Sequence, residues 1–297
     1  MRILISGSSG LIGRALMRAL PAAGHEAVPL VRRAPRAGEL QWDPEAPLDP
    51  AKLAACDAVV HLAGKNVAGL WTKKFRQEIL DGRVHGTRTL ATAAAQSYRQ
   101  TGRPRVFVSA SGINYYGDRG DELLTEDSAG GAGFLGEVVR QWEAAAQPAR
   151  EAGVRVVSLR IGVVLAGSGG ALRPLLLPFR LGLGGRIGSG KQYWSWIALD
   201  DVAGAIIFAL QTESLAGPVN AVGPAPVRNA EFVRALARVL HRPAIFPLPE
   251  FVVRAMPGGM GRELLLTSAR VLPARLNAAG YRFRYPDLEP ALRAALA

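Results

Sequence analysis

"RILISGSSGLIGRAL", residues 2–16, joins a short apolar run to a helical repeat through three evenly spaced glycines. The apolar run is typical of a buried strand, and the spacing after Gly10 is typical of a helix. We expect Gly7 to permit a tight turn and Gly10 to let the backbone approach a pyrophosphate. Gly13 would let the helix pack closely on the sheet.

The N-terminus of this helix would offer free N–H groups and the positive end of its dipole to the phosphates of a nucleotide. A plain tight turn between strand and helix is the alternative explanation of the glycines. In its place between a strand and a helix, the motif predicts a dinucleotide site that includes Gly7, Ser9, Gly10, Leu11, Ile12 and Gly13.

The end of the second predicted strand indicates which dinucleotide binds. An acidic residue there would bind a ribose 2′-hydroxyl and favour NAD. The segment reads PLVRRAP, and the first carboxylate after it is Glu39. Arg32 and Arg33 could instead bind a 2′-phosphate through charge-assisted hydrogen bonds, unless both are simply solvated in a loop. The sequence therefore predicts NADP(H) as the cofactor.

The order of the predicted elements indicates the fold class. Strands fit residues 2–6, 25–31, 58–62, 105–109 and 155–160, and helices fit residues 11–22, 71–96 and 134–152. Strands that alternate with helices form a parallel sheet covered on both faces. We therefore expect an α/β fold with a doubly wound parallel sheet (Rossmann).

After residue 222 the pattern changes to a helix at 229–240, proline-rich breaks and short helical segments. We expect two domains: an NADP-binding Rossmann domain with substrate-loop insertions over 1–222, and a small, mostly helical C-terminal domain over 223–297. At the start of another helix, Asp200 and Asp201 are expected to cap its free N–H groups.

Composition excludes several classes of protein. The net charge is +12, but the basic residues are scattered and no zinc-finger or RNA-binding signature accompanies them, so we expect no nucleic-acid partner. The longest apolar run, 202–210, is too short to span a bilayer, so we expect no membrane partner. The single cysteine, Cys56, excludes a disulfide framework and a clustered thiolate metal site. We expect a cytoplasmic monomer or homodimer without a metal.

Longer segments carry a family resemblance. Together with the glycine spacing, three segments resemble the extended short-chain dehydrogenase/reductase superfamily. They are DAVVHLAG at 57–64, VFVSASGINYYGD at 106–118 and WIALDDVAGAI at 196–206. Four segments resemble one branch of this superfamily more narrowly. That branch is described as "epimerase family protein" and carries a small C-terminal domain; the segments are residues 71–90, 179–206, 220–232 and 270–292.

The resemblance implies an NADP-binding protein whose substrate is not settled. It also implies cofactor contacts at five matching positions: Leu62, Ala63, Glu78, Arg83 and Arg160. An ion pair on the surface of a helix and an arginine at the end of a strand are the alternative explanations of the last three. Lys65 departs from the branch, which usually has an acidic residue after the glycine of LAG.

The acid/base chemistry of the superfamily uses a tyrosine, a lysine four residues later and a serine or threonine. No lysine lies between residues 75 and 190, so the usual Tyr-x-x-x-Lys pair is absent. The position of the family's hydroxyl residue is occupied by Gly112, and strand alternation turns Ser111 toward the other face. Ser111 and Tyr116 are the candidate catalytic residues, with Tyr115 and Tyr193 as further substitutes; a wall of packed aromatic rings is the alternative.

Two functions remain open at this point. The first is an NADP-dependent oxidoreductase or epimerase-like enzyme that acts by hydride transfer on a small polar substrate. The second is a nucleotide-binding protein without turnover, such as a sensor or regulator. The missing Tyr-Lys pair favours the second, and the glycine- and aromatic-rich segment GKQYWSW at 190–196 favours the first because it could line a substrate pocket.

Overall fold

The structure is a computed structural model that describes all residues 1–297. Its strands are β1 Arg2–Ser6, β2 Glu26–Val31, β3 Leu40–Gln41, β4 Ala58–His61, β5 Val106–Gly112, β6 Leu123–Leu124, β7 Arg155–Ile161, β8 Val163–Leu165, β9 Tyr193–Trp194, β10 Trp196–Ala198, β11 Gly217–Ala221, β12 Val227–Arg228 and β13 Arg270–Val271. Its α-helices are α1 Leu11–Ala22, α2 Lys73–Thr101, α3 Phe134–Ala144, α4 Gln147–Glu151, α5 Arg173–Arg180, α6 Leu199–Gln211, α7 Asn229–Leu240, α8 Glu250–Arg254, α9 Ala274–Ala278 and α10 Leu288–Leu296.

Seven strands form one parallel sheet in the order β11-β7-β5-β4-β1-β2-β3. From β1 the chain first builds outward through β2 and β3, and then returns to the other side of β1 with β4, β5, β7 and β11. The order therefore reverses between β1 and β4. In open α/β sheets a ligand binds at the carboxyl ends of the strands at such a reversal. The predicted Rossmann fold is confirmed.

Alternation along the strands divides the core between the two faces of the sheet. Ile3 and Ile5 of β1 pack with Leu16 of α1 and Ile206 of α6. The residue between them, Leu4, packs on the opposite face with the apolar side of α2. Because successive side chains of a strand point to opposite faces, an apolar run such as RILIS can be buried on both.

Two expectations about helices are wrong. Residues 134–152 form two helices, α3 and α4, rather than one. Pro148 explains the break, because its ring has no N–H and clashes with the carbonyl of residue 144. Asp200 and Asp201 do not cap α6, whose N-cap is Ala198. The buried Asp201 carboxylate instead accepts backbone hydrogen bonds from Arg284 at 2.7 Å and from residue 285 at 3.0 Å, so it anchors the C-terminal segment.

The C-terminal helices share a hydrophobic core with the segment that precedes α6. Phe232 and Leu236 of α7, together with Leu292 of α10, pack around Trp194 and Trp196. The C-terminal part is helical, as expected. The division into domains 1–222 and 223–297 stays a prediction, and this core contains residues from both sides of it. None of the helices combines the length and the apolar character needed to cross a lipid bilayer.

Candidate functional site

The glycine loop between β1 and α1 has the geometry of a phosphate cradle. Gly7 has a φ of +74°, in the left-handed region, and a Cβ there would lie 2.7 Å from the backbone of Ala63. A Cβ on Gly13 would lie 2.1 Å from the Gly7 carbonyl oxygen. Both positions therefore require glycine for the loop itself. A Cβ on Gly10 would meet only that same oxygen, at 3.2 Å, and would otherwise project into open space.

This cradle fits the phosphates of a dinucleotide. No side chain caps the N-terminus of α1, and no acidic residue lies in its first turn. The free N–H groups and the positive end of the helix dipole therefore face the space that Gly10 leaves open. Leu62 and Ala63 follow β4 directly across the reversal of the sheet and line the same loop from the other side. The structure thus brings together the predicted residues 7–13, 62 and 63.

The two arginines after β2 have different surroundings. The Arg33 guanidinium binds both carboxylate oxygens of Glu39, each at 2.7 Å, and this hydrogen-bonded pairing lowers the pKa of Glu39 to about 2. Arg33 is therefore engaged by an ionised carboxylate throughout the neutral range. The exposed Arg32 side chain has no ion-pair partner. Of the two, Arg32 is the one free to bind an added phosphate.

Glu78 and Arg83 lie near the end of β4, on the first turns of the long helix α2. Glu78 forms an ion pair with Lys65, the residue that departs from the resembled branch, and this pairing lowers the pKa of Glu78. The Arg83 guanidinium lies 5.0 Å from the centre of the Trp142 ring and over Gly64. Burial lowers the pKa of Arg83 to about 10, so it stays charged at neutral pH without an acidic partner.

A buried polar pair joins β1 to β4 beneath the cradle. Ser6 and His61 are adjacent in the sheet, and the Ser6 hydroxyl lies 2.5 Å from His61 Nδ1. Neither side chain is exposed, and His61 Nε2 has no hydrogen-bond partner. Burial lowers the pKa of His61 to about 4, so the imidazole is neutral at physiological pH. Sequence reasoning did not find this pair.

Ser111 and Tyr116, the candidate catalytic residues, are both enclosed by protein. Ser111 Oγ donates a hydrogen bond of 2.6 Å to Glu143. The Tyr116 hydroxyl donates to Asn220 at 2.7 Å and accepts from Arg160 at 3.1 Å. The exposed fraction is 5% for Ser111 and 0% for Tyr116. Burial raises the pKa of the Tyr116 hydroxyl, although the Arg160 charge opposes the change. Both hydroxyls are thus held within the protein rather than presented to a substrate.

Arg160 connects Tyr116 to Ser111 through Glu143. Its guanidinium therefore belongs to this buried network and not to the glycine cradle. It forms a two-point ion pair with Glu143, at 2.8 and 2.9 Å, and is 3% exposed. Burial alone would lower its pKa, but the hydrogen bonds to Glu143 raise it. Ser111, Arg160 and Asn220 are neighbours in sheet register on β5, β7 and β11. Residues in register share a face, which brings three distant parts of the chain into one network.

The remaining tyrosines of interest are partly accessible. The ring centre of Tyr115 lies 3.4 Å from the Arg160 guanidinium carbon. The ring of Tyr193 contacts two other guanidinium groups, those of Arg228 and Arg270. Glu143 and Asn220 were missed by sequence reasoning because no motif marks them. The available signal was weak, namely a polar residue on a mostly apolar face of α3 and another inside an apolar strand.

Comparisons with known proteins identify the family to which the chain belongs. A sequence model of the NAD dependent epimerase/dehydratase family matches residues 3–223, and one of a domain of unknown function, DUF1731, matches residues 248–295. Epimerase family protein Mb2239 of Mycobacterium bovis is 44% identical over 293 residues, which cover 98% of this chain and 96% of the relative.

Two solved structures are similar along the whole chain. The crystal structure of human epimerase family protein SDR39U1 (isoform 2) with NADPH has a TM-score of 0.90 at 38% identity, covering 100% of this chain and 99% of that one. The nucleoside-diphosphate sugar epimerase from Corynebacterium glutamicum has a TM-score of 0.83 at 37% identity, covering 100% of this chain and 58% of the other. The chain therefore belongs to the NAD dependent epimerase/dehydratase family, in the group of epimerase family proteins whose C-terminal part matches DUF1731.

Proposed function

We propose that the chain binds NADP(H) and acts by hydride transfer on a small polar substrate, without the Tyr-Lys pair of its superfamily. The observation that carries this proposal is the uncapped N-terminus of α1 at the carboxyl edge of the sheet, where Gly10 leaves room for a pyrophosphate. A bound nicotinamide would supply or accept the hydride. The NADPH in the structure of the human relative supports this choice of cofactor.

Arg32 supports NADP(H) over NAD(H). It follows β2, where the 2′ position of the adenosine ribose lies in Rossmann folds, and it has no acidic partner. Glu39, the nearest downstream carboxylate, is already bound to Arg33 and Arg36 and so does not offer a free acceptor to a ribose hydroxyl. The charge at this end of the site therefore suits a 2′-phosphate.

Reduction of a carbonyl also needs a proton at its oxygen. Ser111 and Tyr116 are candidate proton donors from the sequence. Because both are buried, they are better suited to stabilise the network around Arg160 than to contact a substrate. Tyr115 is the tyrosine of the same stretch that is only partly buried. Its ring is fixed against the Arg160 guanidinium, which is itself fixed by Glu143. We therefore propose Tyr115 as the proton donor in place of Tyr116.

The second candidate function is an NADP(H)-binding protein without turnover, a sensor or regulator. Two observations favour it. No Tyr-x-x-x-Lys pair occurs in the chain, and two of the hydroxyls that could replace it, those of Ser111 and Tyr116, are enclosed. In that case the network around Arg160 stabilises the binding domain and transfers no proton.

An NADPH oxidation assay on a panel of small carbonyl compounds separates the two functions. The enzyme function predicts turnover by the wild type, a loss of about 10²–10⁴-fold in kcat for Tyr115→Phe, and little change in NADPH affinity for that variant. A Gly10→Val variant should lose both binding and turnover. NADPH binding with no oxidation across the panel would favour the non-catalytic function instead.

A further inference from the structure

The ring of Tyr193 is in contact with two guanidinium groups, one of which has no partner. The guanidinium carbon of Arg228 lies 4.6 Å from the ring centre, and that of Arg270 lies 4.9 Å from it. Arg228 donates to Asp121 at 2.9 Å and to the Lys191 carbonyl at 2.6 Å. Two positively charged guanidinium groups thus contact one aromatic ring, and only that of Arg228 has a carboxylate partner, Asp121.

Arg270 is the exception among the half-buried arginines of this region. Its Nε is fully buried without a hydrogen-bond acceptor, and its guanidinium forms no ion pair. A contact with an aromatic face offsets only part of the cost of burying a charged donor that has no acceptor. The charge of this half-buried guanidinium therefore has no counter-ion within the chain.

The chain does not supply that anion itself. Near Arg270, the Asp121 carboxylate is bound to Arg228, and both oxygens of Glu122 are bound to Arg119 at 2.7 and 2.8 Å. The Asp118 carboxylate accepts the N–H of residue 268 at 3.1 Å. Each of these three carboxylates already accepts a hydrogen bond, and none of them pairs with Arg270. Farther along the loop, one oxygen of Glu126 accepts the N–H groups of residues 220 and 275, and its other oxygen is buried without a partner and forms no ion pair with Arg270. Arg270 is thus left for an external group.

Arg270 also lies on the side of the molecule where ligands of this fold bind. It pairs in β13 with Leu123 of β6, in the loop that follows β5. The preceding Ser268 joins this loop to the Tyr193 segment, because its hydroxyl donates to the Gly120 carbonyl and accepts the N–H of residue 193. The cluster is thus tied to the carboxyl end of β5, at the same edge of the sheet as the glycine cradle.

We propose that Arg270, together with Tyr193 and Arg228, binds the anionic group of the substrate, a carboxylate or a phosphate. The planar fork of an arginine can donate two parallel hydrogen bonds to either oxyanion. This inference rests on the proposed function, since it narrows the small polar substrate to one that carries an oxyanion.

Titrations of inorganic phosphate and of acetate, each at constant ionic strength, test the site. Saturating NADPH keeps both probes away from the nucleotide phosphate positions. The wild type should bind at least one probe saturably, and Arg270→Gln should weaken that binding by about tenfold or more. The matched control is Arg282→Gln, since Arg282 is exposed and unpaired; it should behave as the wild type. Saturation by phosphate alone or acetate alone identifies the preferred oxyanion.

Equal binding by the wild type and Arg270→Gln, or no saturable binding of either probe, would overturn the proposed anion site. NADPH affinity should be the same in Arg270→Gln and the wild type, which separates this site from the cofactor site. If the wild type binds no NADPH, the proposed function fails. The phosphate titration would then be run without nucleotide on Gly10→Val, with and without Arg270→Gln, and would still decide the anion site.

Discussion

Ser111 donates a hydrogen bond of 2.6 Å to Glu143, and the same carboxylate is paired with the buried Arg160. The serine that sequence analysis selected for catalysis thus completes the shell of a buried ion pair. Removal of one member of such a pair leaves an uncompensated charge in a low-dielectric interior. The stretch SASGINYYGD is therefore in large part a structural wall between β5, β7 and α3.

Glu143→Gln should destabilise the protein by about 3–5 kcal/mol, because Arg160 would lose its only carboxylate partner. Urea denaturation at neutral pH measures this change. The matched control is Glu137→Gln on the same helix, where the carboxylate is exposed and pairs with Arg140 on the surface. That change should cost no more than about 1 kcal/mol. Similar losses in both variants would contradict the assigned role of Glu143.

Tyr116→Phe should lower the free energy of unfolding by about 1–3 kcal/mol, since Arg160 and Asn220 would each lose a buried hydrogen-bond partner. Tyr98→Phe provides the comparison: that ring also packs on the core but is only partly buried. Thermal or urea unfolding of the two variants checks the difference. If Tyr116→Phe left stability unchanged while it removed turnover, the hydroxyl would be catalytic after all.

Gly10→Ala should weaken NADPH binding, whereas Gly13→Ala should lower stability. A Cβ on Gly10 projects toward the phosphate space, so this variant should keep its melting temperature but lose NADPH affinity. A Cβ on Gly13 would collide with the Gly7 carbonyl, so that variant should lose stability first. Calorimetric titration and thermal unfolding of both variants distinguish the two roles. Unchanged NADPH affinity in Gly10→Ala, and also in the bulkier Gly10→Val, would place the cofactor elsewhere.

Stability should fall as the pH is lowered, because of His61. The unfolded chain binds a proton at His61 below a pH of about 6.5, whereas the folded protein does so only near the lowered pKa of about 4. The neutral imidazole therefore stabilises the fold above this window, and up to about 3 kcal/mol is lost across it. Urea denaturation at several pH values measures the slope. His61→Gln should flatten the profile, while the exposed His85→Gln should not; equal slopes in all three proteins would exclude His61 as the cause.

The fold could be predicted because its signals are local. The apolar run at residues 2–6 and the helical repeat after it are set by neighbours a few positions away, and both elements formed as expected. The break in residues 134–152 also has a local signal, Pro148 in the first turn of α4.

The surroundings of the candidate residues could not be predicted in the same way. Glu143 meets Ser111 across 32 positions of the chain, and Asn220 meets Tyr116 across 104. Both contacts depend on how α3 and the turn after β5 pack against the sheet, and no sequence motif records that packing. Likewise, the sequence presented Arg32 and Arg33 as equivalent, and only the position of Glu39 separates them.

The measurement that tests the account most directly is the titration of the wild type and Arg32→Ala with NADPH and with NADH at moderate salt. We expect the wild type to bind NADPH at least about tenfold more tightly than NADH, since one charge-assisted contact contributes on the order of 1.5–3 kcal/mol. Arg32→Ala should lose most of that preference and keep its NADH affinity, and Arg33→Ala, whose side chain is held by Glu39, should resemble the wild type. Equal affinity of the wild type for both nucleotides, or an equal loss for both in Arg32→Ala, would contradict the claim that this is an NADP(H) site.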